Sequence, residues 1–239
     1  MKKTGKILGL GLIGFLFLFG TVKAQDLDLS SSHTSATVYV IHGIPGLDLG
    51  LDPALSVDVW VNDAPAIQGF EFEDIAGPLS LPAGTYNIKI ALAGTTDAVI
   101  EADVPFYEHE LAVVIAHLTE EGGITASKFS YDKSPTPGHD ARFYFHHLAA
   151  APSVDASAYR VFGAQDPMFR VDDLSNGDKF MVEVSPKDWK FSLGPTGTGI
   201  ELVSKKANLR KANGYLLYAV GSLEFQTFTF ISLKIKGLR

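Results

Sequence analysis

The sequence repeats itself once along the chain, and this repetition limits the possible folds more than any other feature. In each copy an alternating segment leads through a proline-containing loop to a short Val-Asp segment, and a later alternating segment runs into a Gly-Thr turn. The matched segments are 37–42, 57–60, 86–90 and 93–95 in the first copy and 142–146, 154–156, 189–193 and 196–198 in the second. Two copies in the same order, about a hundred residues apart, indicate a duplicated domain of ordinary size rather than one large fold or a short-period solenoid.

The N-terminus has the features of a secretion signal. Several lysines precede an apolar stretch at 7–19, and the segment that ends at Ala24 suits a signal peptidase. We predict that residues 1–24 are a cleaved signal peptide, with an uncleaved anchor as the alternative. The apolar stretch is shorter than the roughly 20 residues of a membrane-spanning helix. We therefore expect an exported mature chain without a membrane span, in a periplasm, at the cell surface or outside the cell.

Composition excludes several classes of function. The chain contains no cysteine, which removes disulfides, thiolate metal sites and cysteine nucleophiles together. The formal net charge is −7, and loss of the four lysines of the signal would make it −11. Binding to nucleic acid relies on Lys and Arg that neutralise phosphates, so this charge argues against a nucleic-acid partner.

The two copies divide the mature chain into two domains. Residues 25–35 are polar and read as a flexible leader, and the first domain covers 36–133. Residues 134–138 combine two prolines and a glycine, which indicates a short stiff linker, and the second domain covers 139–239. We expect a protease that cuts in this linker to release two folded halves.

Hydrophobic residues recur with a period of two in both copies, and nowhere at helical spacing over three turns. Residues 111–116 are apolar on both faces and predict a central strand, and residues 118–124 predict a hairpin. The predicted fold class is all-β, with two tandem Ig-like or Greek-key β-sandwiches; closed barrels are the alternative. The register places Tyr86 and Trp189 at equivalent inward positions.

A set of short motifs resembles the DUF4397 family, a domain of unknown function found in exported and cell-envelope bacterial proteins. The motifs are Val40-Ile41-His42, Ser56-Val57-Asp58-Val59, Leu81-Pro82-Ala83-Gly84-Thr85-Tyr86 and Ala93-Gly94-Thr95 in the first copy, and Phe145-His146 and Ala150-Ala151-Pro152-Ser153-Val154-Asp155 in the second. The first copy departs by a longer loop at 43–53, and the second lacks the glycine turn before Trp189. The resemblance implies a β-sandwich and an exported location, and it implies no established chemistry.

One polar pair recurs in both copies: His42 with Asp58, and His146 with Asp155. A carboxylate can fix the tautomer of a histidine and raise its basicity, which would suit metal binding or acid–base chemistry. The simpler interpretation is that each Asp caps a loop or satisfies a half-buried His at a strand end. Since no nucleophile or oxyanion donor stands at a readable spacing, we predict that both pairs are structural, with each His within hydrogen-bond or water-bridge reach of its Asp.

Two further groups have oxygen or nitrogen ligands for a metal. Asp48 and Asp52 lie in the long loop of the first copy, but their spacing lacks the ordered acidic pattern of an EF-hand. His146 and His147 are adjacent on a strand and so point to opposite faces. We therefore keep Asp48 and Asp52 as candidate binding residues and assign no metal and no cofactor.

Two functions remain in view. The first is a non-catalytic envelope or extracellular module that presents loops to a protein or glycan partner, as duplicated sandwiches commonly do. The second is a metal-dependent or His/Asp hydrolase that uses His42 with Asp58 or His146 with Asp155. The sequence sets no oligomeric state.

Overall fold

The computed structural model describes residues 35–162 and 167–238, and the signal and most of the leader predicted above lie outside these ranges. The described chain is all-β apart from two short 3₁₀ helices, Gly46–Leu49 and Pro137–His139. Within it no helix is long and apolar enough to span a membrane. The strands are β1 (Ser35–His42), β2 (Val57–Val61), β3 (Ala64–Phe70), β4 (Ile75–Pro82), β5 (Gly84–Leu92), β6 (Ala98–Phe106), β7 (Leu111–Leu118), β8 (Ile124–Tyr131), β9 (Ala141–His147), β10 (Val154–Arg160), β11 (Phe169–Leu174), β12 (Lys179–Val184), β13 (Asp188–Pro195), β14 (Val203–Asn208), β15 (Gly214–Val220) and β16 (Thr229–Ile235).

The strands form four sheets of four, two for each half of the sequence. The first sandwich pairs sheet β4-β1-β7-β8 with sheet β3-β2-β5-β6, and the second pairs β12-β9-β15-β16 with β11-β10-β13-β14. The chain crosses between the two sheets after β1, β3, β4 and β6, as in Greek-key sandwiches. The predicted all-β sandwich class is confirmed. The strand order of the first half is repeated in the second, including the parallel pairs β1/β7 and β9/β15.

The hydrophobic pattern accounts for the central strands. All eight residues of β7 are buried, because this strand lies between β1 and β8 and is covered on both faces. In β1 the alternation splits the side chains: Val38 packs inside the first sandwich, and Ile41 packs on the opposite face. The β7/β8 hairpin places Leu118 opposite Ile124, where the sequence predicted a turn.

The two sandwiches pack against each other through their inner sheets. One hydrophobic cluster combines Ile41 and Ile115 from the first half with Leu216, Tyr218 and Ile231 from the second. Most of these side chains are less than 5% exposed, so the cluster is as deeply buried as the cores of the two sandwiches. The linker in the sequence predicted two halves that could be separated. The structure shows a shared apolar layer, so each half would expose part of its buried surface on separation.

A buried arginine fixes the linker against the second sandwich. Arg142, at the second position of β9, is 3% exposed. Its guanidinium donates to the carbonyl oxygens of Asp132 and Ser134 at 3.1 and 3.3 Å and to Glu183 at 2.8 and 3.0 Å. Five N–H donors in a rigid plane suit this arrangement, in which one side chain holds both the chain crossing and the neighbouring strand β12.

Candidate functional site

Asp58 and Asp155 are equivalent braces for the backbone. Asp58 is 6% exposed, and its two oxygens accept from the amides of Gly69 and Gly94, both at 2.9 Å. The two glycines have φ of 63° and 79°, a conformation that glycine adopts without steric cost. The carboxylate thus joins the end of edge strand β3 to the turn after β5.

Asp155 does the same in the second sandwich. It accepts from the amides of Asp173 at 3.1 Å and Gly197 at 2.8 Å, and it forms an ion pair with Arg170. Burial alone would raise the pKa of Asp155, but the two amides and the Arg170 charge outweigh it, so the net pKa is lowered. Both carboxylates are therefore occupied by structural hydrogen bonds.

His42 does not hydrogen-bond to Asp58 in the described structure. Its Nδ1 accepts from the amide of Ile44 at 3.3 Å, and its ring stacks on Phe70 with centroids 6.2 Å apart. Burial lowers the pKa of His42 to about 4, although the charge of Asp74 acts in the opposite direction. The buried, neutral imidazole is engaged with its own loop, and the described structure shows no direct hydrogen bond from it to Asp58.

The equivalent of His42 in the second copy is His147, one residue later than the sequence motif suggested. The amide of His42 donates to the carbonyl of Asp74 at 3.1 Å, and that of His147 donates to the carbonyl of Asp178 at 3.0 Å. Adjacent residues on a strand face opposite sides, so this shift turns His146 away from Asp155. His146 therefore pairs with other groups.

His146 lies in the layer between the sandwiches. Its Nε2 shares a 2.8 Å hydrogen bond with the hydroxyl of Tyr131, which lies 2.7 Å from the hydroxyl of Tyr218. Burial, together with the nearby charge of Lys179, lowers the pKa of His146 to about 3, and burial raises the pKa of both tyrosines. The ring therefore stays neutral and joins the two halves.

The two loop carboxylates also serve separate contacts. Asp48 accepts from the hydroxyl of Thr227 at 2.6 Å, a bond between the two sandwiches. Asp52 accepts from the amide of Ala54 at 2.9 Å within its own loop. No group of three or more His, Cys, Asp or Glu is placed to hold a metal ion in the part of the chain that the structure describes.

A different feature emerges between the sheets of the first sandwich: an apolar cavity of about 450 Å³. Seven of its eight strands contribute to the lining. Val38, Val59 and Ile90 lie deep in it and are nearly inaccessible, whereas Ala66 and Leu79 lie at its exposed rim. None of the lining residues carries a charge.

The second sandwich fills the corresponding space with phenylalanine. Strand register aligns β1 with β9, β4 with β12 and β5 with β13. The pairs of equivalent residues are Val38 and Phe143, Val40 and Phe145, Ala76 and Phe180, and Ile88 and Phe191. The four rings pack together, with the rings of Phe143 and Phe191 stacked at 3.9 Å. The space that is open in the first sandwich is therefore filled at the equivalent position of the second.

The cavity opens between edge strands β3 and β4. On the opposite side, β6 and β8 approach each other, and the ammonium of Lys128 lies 5.1 Å from the centroid of Phe106. In the second sandwich the corresponding opening is closed by Phe169 and Phe180, whose ring centroids are 6.1 Å apart. The sequence does contain a signal for this cavity: inward positions that hold phenylalanine in the second copy hold valine, alanine or isoleucine in the first. The period-two pattern alone does not reveal this difference in side-chain volume.

The lining determines what the cavity can accept. Its volume lies within the range of roughly 300–1,000 Å³ that is typical of small-molecule sites. It is about three times a cavity of roughly 150 Å³ that takes up benzene in another protein. The hydroxyl of Tyr86 already donates to the carbonyl of Pro82 at 2.9 Å, so little polar capacity faces the interior. The chemistry of the cavity favours an uncharged, apolar group.

Comparison with known proteins gives a family and no activity. A family model described as "Domain of unknown function (DUF4397)" matches residues 36–157, which is the first sandwich and the start of the second. No curated protein matches the sequence. Among solved structures, the match with "The Bacillus anthracis TIE protein" has 9% identity and a TM-score of 0.25. It covers 80% of this chain, and the chain spans half the length of that protein.

Proposed function

The chain belongs to the DUF4397 family of domains of unknown function, and we propose that it is an exported, non-catalytic module that binds an apolar molecule in its first sandwich. The observation that carries this proposal is the open space between the sheets of that sandwich, which the second sandwich fills at the equivalent position. The cavity is open at the β3/β4 edge, so a ligand can reach it without unfolding.

The energetics of the cavity support an occupant. Atoms that line an empty space lose dispersion contacts, at about 24 cal/mol per Å³ in a well-studied series of core cavities. For about 450 Å³ this amounts to on the order of 10 kcal/mol, comparable to the whole stability of a typical domain. Because the mouth is open, relaxation and water reduce this cost, and an apolar ligand reduces it further.

The fate of the polar candidates supports a non-catalytic role. Asp58 and Asp155 are engaged by backbone amides, and His42 and His146 are buried with their own partners. We propose export on the strength of the predicted signal peptide. The sequence suggested loops that bind a protein or glycan; we propose the cavity between the sheets as the binding site instead.

A neutral fluorophore tests the proposal. N-phenyl-1-naphthylamine is apolar and uncharged, and its emission rises when it leaves water. We expect the purified protein to bind it at one site. The double substitution Val40→Phe with Ile88→Phe copies two phenylalanines of the second sandwich into the cavity, and it should weaken binding at least tenfold. Val99→Phe, at an exposed position of β6, is the matched control and should leave binding unchanged.

A second variant keeps the test informative if the double variant misfolds. Extra core volume can strain a sheet, so the double variant needs an unchanged near-ultraviolet circular dichroism spectrum. If it misfolds, Ala66→Trp at the exposed rim narrows the mouth without touching the core. Binding that survives both a folded double variant and Ala66→Trp would refute the proposed site.

A further inference from the structure

A second pocket, of about 210 Å³, lies at the β14/β16 edge of the second sandwich and differs in character from the first. Its floor is apolar and includes Phe143, Phe191 and Leu217. Its wall contains Lys205 of β14 and Lys234 of β16; Lys206 also borders the pocket, but its side chain faces the opposite side of the sheet from Lys205. The pocket therefore combines an aromatic floor with concentrated positive charge.

These three lysines have no carboxylate partner. Within residues 35–162 and 167–238, the ion pairs involve other cations, and none joins Lys205, Lys206 or Lys234 to an acid. The half-buried Lys205 reaches only the carbonyl of Phe230, at 3.5 Å. The ammonium of Lys234 lies 5.5 Å from the ring centroid of Tyr215. Unpaired like charges around one pocket repel each other, and a bound anion would relieve that repulsion.

The positive charge of the segment that borders this pocket is unusual for this acidic chain. The full sequence carries −7, yet residues 203–238 contain six Lys or Arg and a single acid, Glu224. An acidic protein with a basic segment beside an apolar pocket has a local field there that attracts anions. Long lysine stems can also cover apolar surface while the ammonium groups remain near water.

We propose that this pocket binds a small amphiphile with one anionic group. The acid group would lie between Lys205 and Lys234, and the apolar part would lie on Phe143 and Phe191. A volume of about 210 Å³ suits one aromatic ring or a short branched chain rather than a long one, given that roughly 150 Å³ holds benzene. This site is separate from the cavity of the first sandwich and does not depend on its function.

A matched pair of fluorophores distinguishes the two sites. 8-Anilinonaphthalene-1-sulfonate has the skeleton of N-phenyl-1-naphthylamine plus one sulfonate, and its single phenyl ring, beside the sulfonate, is the part that would enter the pocket while the naphthalene stays at the open mouth. We expect the sulfonate to bind the variant whose first cavity is filled by Val40→Phe with Ile88→Phe. Adding Lys205→Gln and Lys234→Gln should then weaken sulfonate binding at least tenfold. Salt at 0.5 M should weaken sulfonate binding to the cavity-filled protein but not to the variant that also lacks the two lysines.

The controls separate charge at the pocket from charge in general. Lys211→Gln with Lys236→Gln removes two exposed lysines that do not line the pocket, and it should leave sulfonate binding within twofold. If Lys205→Gln impairs folding, the single charge reversal Lys234→Glu at an exposed position gives the same readout. The proposal is overturned if Lys205→Gln with Lys234→Gln leaves sulfonate affinity unchanged, or if, in the protein whose first cavity is unfilled, the same two substitutions weaken the neutral fluorophore equally.

Discussion

Acid should destabilise this protein through its buried histidines. His42 and His146 are 4% and 0% exposed, and burial lowers their pKa values to about 4 and about 3. In the unfolded chain an ordinary histidine has a pKa of about 6.5, so the unfolded state binds more protons between these values. Stability is therefore present above pH 6.5 and is lost as the pH falls towards 4.

The magnitude follows from the shifts. At pH 5 an unfolded histidine is about 97% protonated, whereas either folded histidine remains almost entirely neutral. This difference in protonation lowers the free energy of unfolding by about 2 kcal/mol for each histidine, or about 4 kcal/mol for the pair. His117 and His147 also have lowered pKa values because of burial and add to the same trend. Few small proteins have more than 15 kcal/mol in total, so the effect is measurable.

Urea unfolding at pH 7.5 and pH 5.0, followed by tryptophan fluorescence, measures this loss. Trp60 reports on the first sandwich and Trp189 on the second. His146→Ile copies the equivalent Ile41 of the first half and should reduce the acid-induced loss by about 2 kcal/mol. His42→Gln should do the same. An acid-induced loss that is as large in both variants as in the parent would refute the argument.

Three further outcomes are expected. Asp58→Asn should lower the free energy of unfolding by about 1–2 kcal/mol in urea titrations, because one backbone amide loses its acceptor, and should leave fluorophore binding intact; lost binding at unchanged stability would contradict the structural role. Trp189→Ala should cost about 3–5 kcal/mol, and Tyr86→Ala less, because Trp189 is 3% exposed whereas Tyr86 is only half-buried beside the cavity; equal losses on calorimetry would contradict a hollow first core. Residues 36–133 and 139–239 expressed separately should self-associate or remain partly unfolded in analytical ultracentrifugation and circular dichroism, since each exposes half of the shared layer; two folded monomers would contradict this.

The sequence predicted the buried strands well and the edge strands poorly. Strand β7 is apolar at almost every position, and only a central strand covered on both faces tolerates this. Strands β3 and β4 were not predicted, because most of their residues are exposed and their pairing with β2 and β1 is interrupted by bulges. The predicted equivalence of Tyr86 and Trp189 is confirmed. Each lies five residues before the residue that pairs, on the neighbouring strand, with the equivalent Asp of its own sandwich.

The partners of the polar candidates could not be predicted, for a local reason. The motif that ends in histidine fits both His146 and His147, and only the backbone bonds to Asp178 decide which one corresponds to His42. A single strand does not reveal which side chain faces the neighbouring sandwich, since that face is also apolar here. The cavity was beyond prediction from one copy, because hydrophobic residues of any size satisfy the alternation, and only a position-by-position comparison of the copies reveals missing volume.

The layer between the inner sheets lets one half of the molecule compensate for the other. A sandwich with an unfilled interior would have low stability on its own. Here Ile41, Ile115 and their neighbours pack against the more densely packed second sandwich. If the two unfold as one cooperative unit, the aromatic core of the second half supports the open interior of the first. The second sandwich then supplies packing that stabilises both halves, and the first can retain an open interior at a smaller cost in overall stability.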